Sequence, residues 1–227
     1  MDLHAFVSAV SRGFRRRRME RFAREFGLTE QTRILDVGGT PDCWRLLRVR
    51  PRVTLLNMPR AKDELGEGYL WVAGDGRALP FRDGAFDVVF SNSAIEHVGS
   101  AASQEAFARE AARVGRGFWI QTPNRWFPVE QHLLTPCIHW LPKRWQRAVV
   151  PRCNVWSALA RVTPDRRRFY IQHFLADVRL LGPGEVRALF PAARLVRERF
   201  CGITKSLIAC RRESPARELP SPAAREK

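Results

Sequence analysis

Four short stretches of this sequence hold residues able to do chemistry. In ILDVGGTPD (34–42) an apolar strand ends at Asp36, a glycine pair follows, and a helix is expected to open at Pro41 and run to about Arg48. Glycine lets the backbone turn sharply and approach a ligand closely. Thr40 suits an N-cap and Pro41 the first helical position, and the free N–H groups of such a helix start would face a ligand crevice. In GDGRALPF (74–81), Asp75 follows a strand directly and can accept a hydrogen bond from an exocyclic amine, with Leu79 and Phe81 offering surface to a ring. FDVVFSNSAIEHV (86–98) is a buried strand with a polar end at Ser91 and Asn92, then His97. QTPNRWFPVEQH (121–132) places Glu130 and His132 two apart in a loop. Histidine and carboxylate groups near neutral pKa serve as general bases, so His97, Glu130 and His132 are the candidate catalytic side chains. The alternative for Glu130 and His132 is bracing of the segment around them. No metal-ligand spacing is visible, and none is expected.

The elements that must position these residues alternate. Apolar patterning predicts strands at 33–37, 52–56, 69–73, 86–91 and 116–121, and helices at 41–48 and 103–113. Such alternation argues for a mainly parallel sheet with right-handed crossovers. A helix over 2–26 is read from Leu3, Phe6, Val10, Phe14, Phe22 and Phe26, stopped by Gly27, and is expected to cover the ligand cleft. The connection 58–68 is short for a full crossover helix. Residues 123–170 break the pattern with prolines and with Trp126, Trp140 and Trp145, and read as a lid or substrate-facing insert, helical in part. A short helix at 184–190 and a strand pair at 193–200 and 204–211 follow. The Pro-, Ala- and Ser-rich tail 213–227 reads as disordered.

Taken together and in this order, ILDVGGT, GDGRALPF and FDVVFSNSAIEHV resemble the class I S-adenosylmethionine-dependent methyltransferases of the methyltransferase-11 type. The resemblance covers roughly 33–121, and the terminal strand pair agrees with the family's antiparallel hairpin. It implies a doubly wound, seven-stranded Rossmann-like sheet, a single domain over 1–212, and S-adenosylmethionine as cofactor. It further implies that Asp36, Gly38, Gly39 and Thr40 line the cofactor's amino-acid end. Asn57 would stand at the ribose, Asp75 and Gly76 at the adenine, and Ser91 and Asn92 at the methionine moiety. Two positions depart from the family pattern. Thr40 stands where a glycine is usual, and Asn57 where an acidic residue grips both ribose hydroxyls, so the charge-assisted bond is lost; Asp63 or Glu64 could substitute. Glu96–His97 commonly caps the following helix in this family, which is the structural alternative for His97. A TPN-x-x-FP-x-E-x-H segment is associated in the family with glycan and glycolipid assembly, so the implied acceptor is a small molecule or glycan methylated at oxygen.

Composition narrows the field. The 227 residues are 45% hydrophobic and 27% charged, ordinary for a globular domain, with no run long enough to span a bilayer. The N-terminal arginines follow the apolar stretch instead of preceding it, unlike a secretory signal. The expected location is cytoplasmic, with room for peripheral attachment at the inner membrane face. Five scattered cysteines suggest neither a zinc site nor a disulfide framework. The net charge of +16 concentrates in residues 1–26 and 143–168, patches that suit an anionic or peripheral membrane partner or simply solvated helix faces. Arg125, Lys143 and Arg144 suit an anionic acceptor. An RNA acceptor ranks lower, since no N-P-P-[YF] pocket or RNA-binding module is present. A non-catalytic cofactor-binding scaffold is the other alternative, motivated by Thr40 and Asn57.

Overall fold

The computed structural model describes residues 3–58, 68–152 and 163–212. Asp63 and Glu64, and the tail expected to be disordered, lie outside the described residues. Seven strands build one sheet: β1 (Arg33–Val37), β2 (Arg52–Asn57), β3 (Leu70–Ala73), β4 (Phe86–Asn92), β5 (Gly115–Pro123), β8 (Arg194–Phe200) and β9 (Ile203–Arg211). Their order is β3-β2-β1-β4-β5-β9-β8. The first five run parallel, and β9 lies antiparallel to both β5 and β8. This is the mainly parallel sheet that the alternating pattern predicts, in the doubly wound, seven-stranded form with a terminal antiparallel pair that the resemblance implies.

Period-two alternation divides the core between the two faces of the sheet. Leu35, Val37 and Val89 pack on one face against Phe107 and Ala111 of α3 (Ala101–Val114). Val186 of a short helix (Pro183–Leu189) joins them. Ile34, Val88, Phe90 and Trp119 pack on the other face, under Met19 and Phe22 of α1 (Leu3–Phe26) and Trp44 of α2 (Pro41–Trp44). Helix α3 starts cleanly because the Ser100 hydroxyl accepts from the Ser103 N–H.

Two expectations change. None of the described side chains of α1, from Ser11 onward, lines the main cavity; the helix closes a sheet face instead, pinned by its buried Arg18. That guanidinium donates to both carboxylate oxygens of Glu198 at 2.8 and 2.5 Å, to Gln121 Oε1 at 2.9 Å, and to Asn92 Oδ1. Helix α2 is one turn and ends at Trp44, not at Arg48. Past Trp44 the chain continues in tight turns, the Trp44 carbonyl accepting from the Leu47 N–H and from Arg50, and the Leu47 carbonyl from Arg50, before it enters β2. Thr40 makes no side-chain cap bond, so the expected helix-start dipole at the glycine loop is reduced to a single turn.

Beyond β5 the chain forms a small two-stranded unit, β6 (Val129–Glu130) with β7 (Thr135–Pro136). Helices α4 (Lys143–Val149) and α5 (Pro164–Asp177) follow, giving the partly helical insert expected, with the second helix running past its expected end at 170. Their own core of Leu133, Ile138, Val150, Ile171, Phe174, Val178 and Leu180 holds this insert together. The bridge between Asn124 and Leu181 ties its two ends. Trp126, Trp140 and Trp145 stay largely exposed. Among the described residues no helix is long and apolar enough to cross a membrane.

Candidate functional site

The carboxyl ends of the parallel strands surround a cavity of about 530 Å³, within the roughly 300–1,000 Å³ usual for small-molecule sites. Val37 and Gly38 reach it from β1, Leu56 and Asn57 from β2, and Asp75 and Gly76 from the turn after β3. Ser93, Ala94 and His97 close the side beyond β4. Gly38 has φ +78°, a left-handed conformation, and a Cβ there would stand 2.6 Å from the Ala94 Cβ. At Gly76 a Cβ would stand 2.8 Å from the Phe107 ring.

The expected cofactor residues fall into two groups. Gly38, Asn57, Asp75 and Gly76 line the cavity. Asn57 also ties the loop together, since its amide donates to the Gly39 carbonyl at 3.3 Å and its oxygen accepts from the Met58 N–H. A carboxylate could not make the first of these bonds. Asp75 is clamped by Arg77 at 2.6 Å, and the hydrogen bonds from that side chain hold its carboxyl below the usual range. The second group stands back from the cavity. Thr40 is exposed and does not line it. The buried Ser91 hydroxyl donates to the Val37 carbonyl at 2.9 Å, joining β4 to β1. Asn92 accepts from Arg18 and lines a smaller pocket.

Asp36 is buried beneath the glycine loop. Its Oδ2 accepts from the Trp44 indole N–H at 2.8 Å, its Oδ1 has no partner, and a Cβ on Gly39 would collide with the carboxylate. Burial pushes its pKa up to about 7, although the Trp44 bond opposes the shift. With the folded pKa above the unfolded one, Asp36's contribution is full below pH 3.8 and is lost as pH rises through about 7. An Asp36→Asn variant without cofactor is therefore expected to gain stability relative to wild type progressively between these pH values. The gain should be on the order of 4 kcal/mol at pH 8. Urea unfolding at pH 5 and pH 8 measures it; a difference between the proteins that does not grow with pH would show that Asp36 ionises freely.

The candidate catalytic residues meet. The Ile95–His97 turn after β4 and the β6–β7 loop bring His97 Nε2 within 3.1 Å of His132 Nε2, the rings nearly perpendicular. His132 Nδ1 stands 2.6 Å from Glu130 Oε1, and Glu130 Oε2 accepts from the Leu133 N–H. Burial pushes the Glu130 carboxyl upward, but the bonds from His132 and Leu133 outweigh it and hold it below its usual range. For His132, burial favours the neutral ring, yet Glu130 and Glu96 together raise its pKa. Glu96, fully buried, places Oε1 4.0 Å from His132 Nε2 and accepts from the Thr122 hydroxyl on Oε2. Burial pushes Glu96 up.

Glu96 and Ser93 are members of this site that sequence reasoning missed. Ser93 borders both pockets and adopts φ +59°, unusual for a residue with a Cβ. Its hydroxyl donates to Gln121 Oε1. The smaller pocket, about 220 Å³, is lined by Arg15, Arg18, Lys205, Asn92 and His132.

No curated protein matches this chain. Residues 43–117 match the family described as Methyltransferase domain, a segment running from α2 through β2, β3, β4 and α3 into β5. Among solved structures, one provisionally assigned as a Zn-dependent alcohol dehydrogenase from Rhodobacter sphaeroides superposes with a TM-score of 0.60 at 13% identity, over 86% of this chain and 87% of that one. One provisionally assigned as an O-methyltransferase from Nostoc punctiforme gives 0.51 at 10% identity, over 88% and 56%. At these identities the likeness establishes the shared fold. The matched segment carries β2, β3, β4 and α3, which help to wall the cavity; over it the chain is similar to the Methyltransferase domain family, a likeness that points to S-adenosylmethionine as the cofactor.

Proposed function

We propose that the protein methylates a hydroxyl of a small-molecule or glycan acceptor, glycolipids included. The observation that carries this reading is the position of the His97–His132–Glu130 cluster, with His97 on the cofactor-sized cavity and His132 on the smaller pocket beside it. S-adenosylmethionine supplies an activated methyl electrophile when bound, so the protein's main task is positioning.

The residues present fit that cofactor. Gly38 and Gly76 leave backbone bare to a ligand, Asn57 and Asp75 offer polar groups on the lining, and Asp36 holds an unpartnered buried oxygen beneath the loop. Gly38, Gly39, Asn57, Asp75 and Gly76 would hold the cofactor. Asp36, Thr40, Ser91 and Asn92 would act at a remove, by fixing the strand ends and the loop. In the smaller pocket, Arg18 is neutralised by Glu198, whereas among the described residues Arg15 and Lys205 form no ion pair within 4.0 Å. Burial lowers the Lys205 pKa, and its ammonium lies 4.5 Å from the Phe14 ring centroid. An acceptor carrying an anionic group suits this pocket. His132, oriented by Glu130, is placed to take the proton of the acceptor hydroxyl.

Calorimetric titration with S-adenosylmethionine and S-adenosylhomocysteine tests the cofactor site. Micromolar binding is expected, lost in Asp75→Ala and weakened in Asp36→Ala. An acceptor screen over sugars, and over glycolipids presented in anionic vesicles, then tests the rest. Tight cofactor binding without turnover on any acceptor would favour a non-catalytic scaffold.

A further inference from the structure

We propose that Glu96, His97 and His132 form a binding site for one divalent transition-metal cation of the zinc type. The inference rests on the cluster being the acceptor-activating site, with His132 serving as a ligand and the bound cation, in place of a free imidazole, favouring loss of the acceptor proton.

The three side chains each offer one ligand atom, and these atoms all lie within 4.8 Å of one another. His97 Nε2 and His132 Nε2 are 3.1 Å apart, and Glu96 Oε1 is 4.0 Å from the latter. Glu96 is fully buried, and its Oε1, aimed into the cluster, accepts no hydrogen bond. A buried carboxylate oxygen left without a partner is costly, and a cation would satisfy it. The surroundings are those of a metal ligand set. Glu130 takes the Nδ1 side of His132, which leaves Nε2 with a lone pair, the arrangement that orients metal-bound imidazoles. Thr122 fixes the other Glu96 oxygen, and the Arg179 N–H holds the Glu96 carbonyl at 2.8 Å, so the turn is preset. Two imidazoles and one carboxylate favour Zn(II), Co(II) or Fe(II) over Mg(II) and Ca(II). Three protein ligands leave a further position for an acceptor oxygen or water, whose pKa the cation would lower.

The test uses the full chain, stripped with a chelator and titrated with Co(II), followed by visible absorption and competition with Zn(II). One equivalent is expected to bind, with d–d bands that Zn(II) abolishes. Affinity should fall at least about tenfold in Glu96→Gln and in His97→Ala, and stay unchanged in His139→Ala, which lies outside the cluster. Glu96→Gln preserves side-chain volume, and circular dichroism checks that each variant is folded. Absence of stoichiometric binding to the wild type, or equal binding by both cluster variants, overturns the proposal. S-adenosylmethionine titration of the same stripped protein separates the two readings. Cofactor binding without metal binding leaves the methyltransferase reading standing and returns His132 to the role of free base.

Discussion

Replacing His132 by alanine is expected to lower kcat by ~10²–10⁴-fold, the usual worth of a positioned proton acceptor, while the dissociation constant for S-adenosylmethionine stays unchanged. The split follows from geometry, because His132 lines the smaller pocket and is absent from the lining of the cofactor cavity. Glu130→Gln should fall between wild type and His132→Ala. The amide oxygen can still accept from Nδ1, but the charge that orients and raises the imidazole is gone. Steady-state kinetics on the first acceptor found, together with calorimetric cofactor affinity, measures both quantities. A kcat within a few-fold of wild type would remove His132 from the chemistry and leave it as a brace for the β6–β7 loop. The same result accompanied by weakened cofactor binding would mean that the loop shapes the main cavity.

Arg18→Ala is expected to destabilise the protein by about 3–5 kcal/mol, the cost of stranding one partner of a buried ion pair. Arg18 is 6% exposed and its partner Glu198 11%, so water cannot compensate either group readily. The substitution also strips donors from Asn92 and Gln121 at the ends of β4 and β5. For a chain of this length the loss corresponds to a fall in melting temperature of about 6–20 °C. Urea unfolding and thermal melts measure it. Arg18→Leu with Glu198→Leu should recover most of the stability, because apolar groups of similar volume remove the stranded charge. A loss below about 1 kcal/mol, the range of surface pairs, would show that the Arg18–Glu198 pair does not pin α1.

Much of the frame was legible in the amino-acid sequence. β1, β2, β4 and the β8–β9 pair, and the glycine loop at Gly38–Gly39, follow from local rules. Period-two burial identifies strands, and a glycine pair after an apolar strand identifies the turn at its carboxyl end. The family resemblance implied a common cavity for Asn57, Asp75 and Gly76, and parallel strands do deliver the residues at and after their ends to a common edge. Where local rules fail, a distant group has taken over. Helix α2 gives way at Trp44 to three-residue turns, and the Arg50 side chain braces their carbonyls at Trp44 and Leu47. Ser91 is withdrawn from the cavity because its hydroxyl is spent on the Val37 carbonyl of a neighbouring strand. Helix α1 covers a sheet face because Arg18 finds Glu198, a partner 180 residues away. By itself the sequence determined the sheet, its loops and the residue types able to bind and to abstract protons. Only the tertiary structure decided that His97 and His132, 35 residues apart, would meet over a buried Glu96. Contacts of that separation are set by how the insert packs on the sheet, and no periodicity along the chain records them.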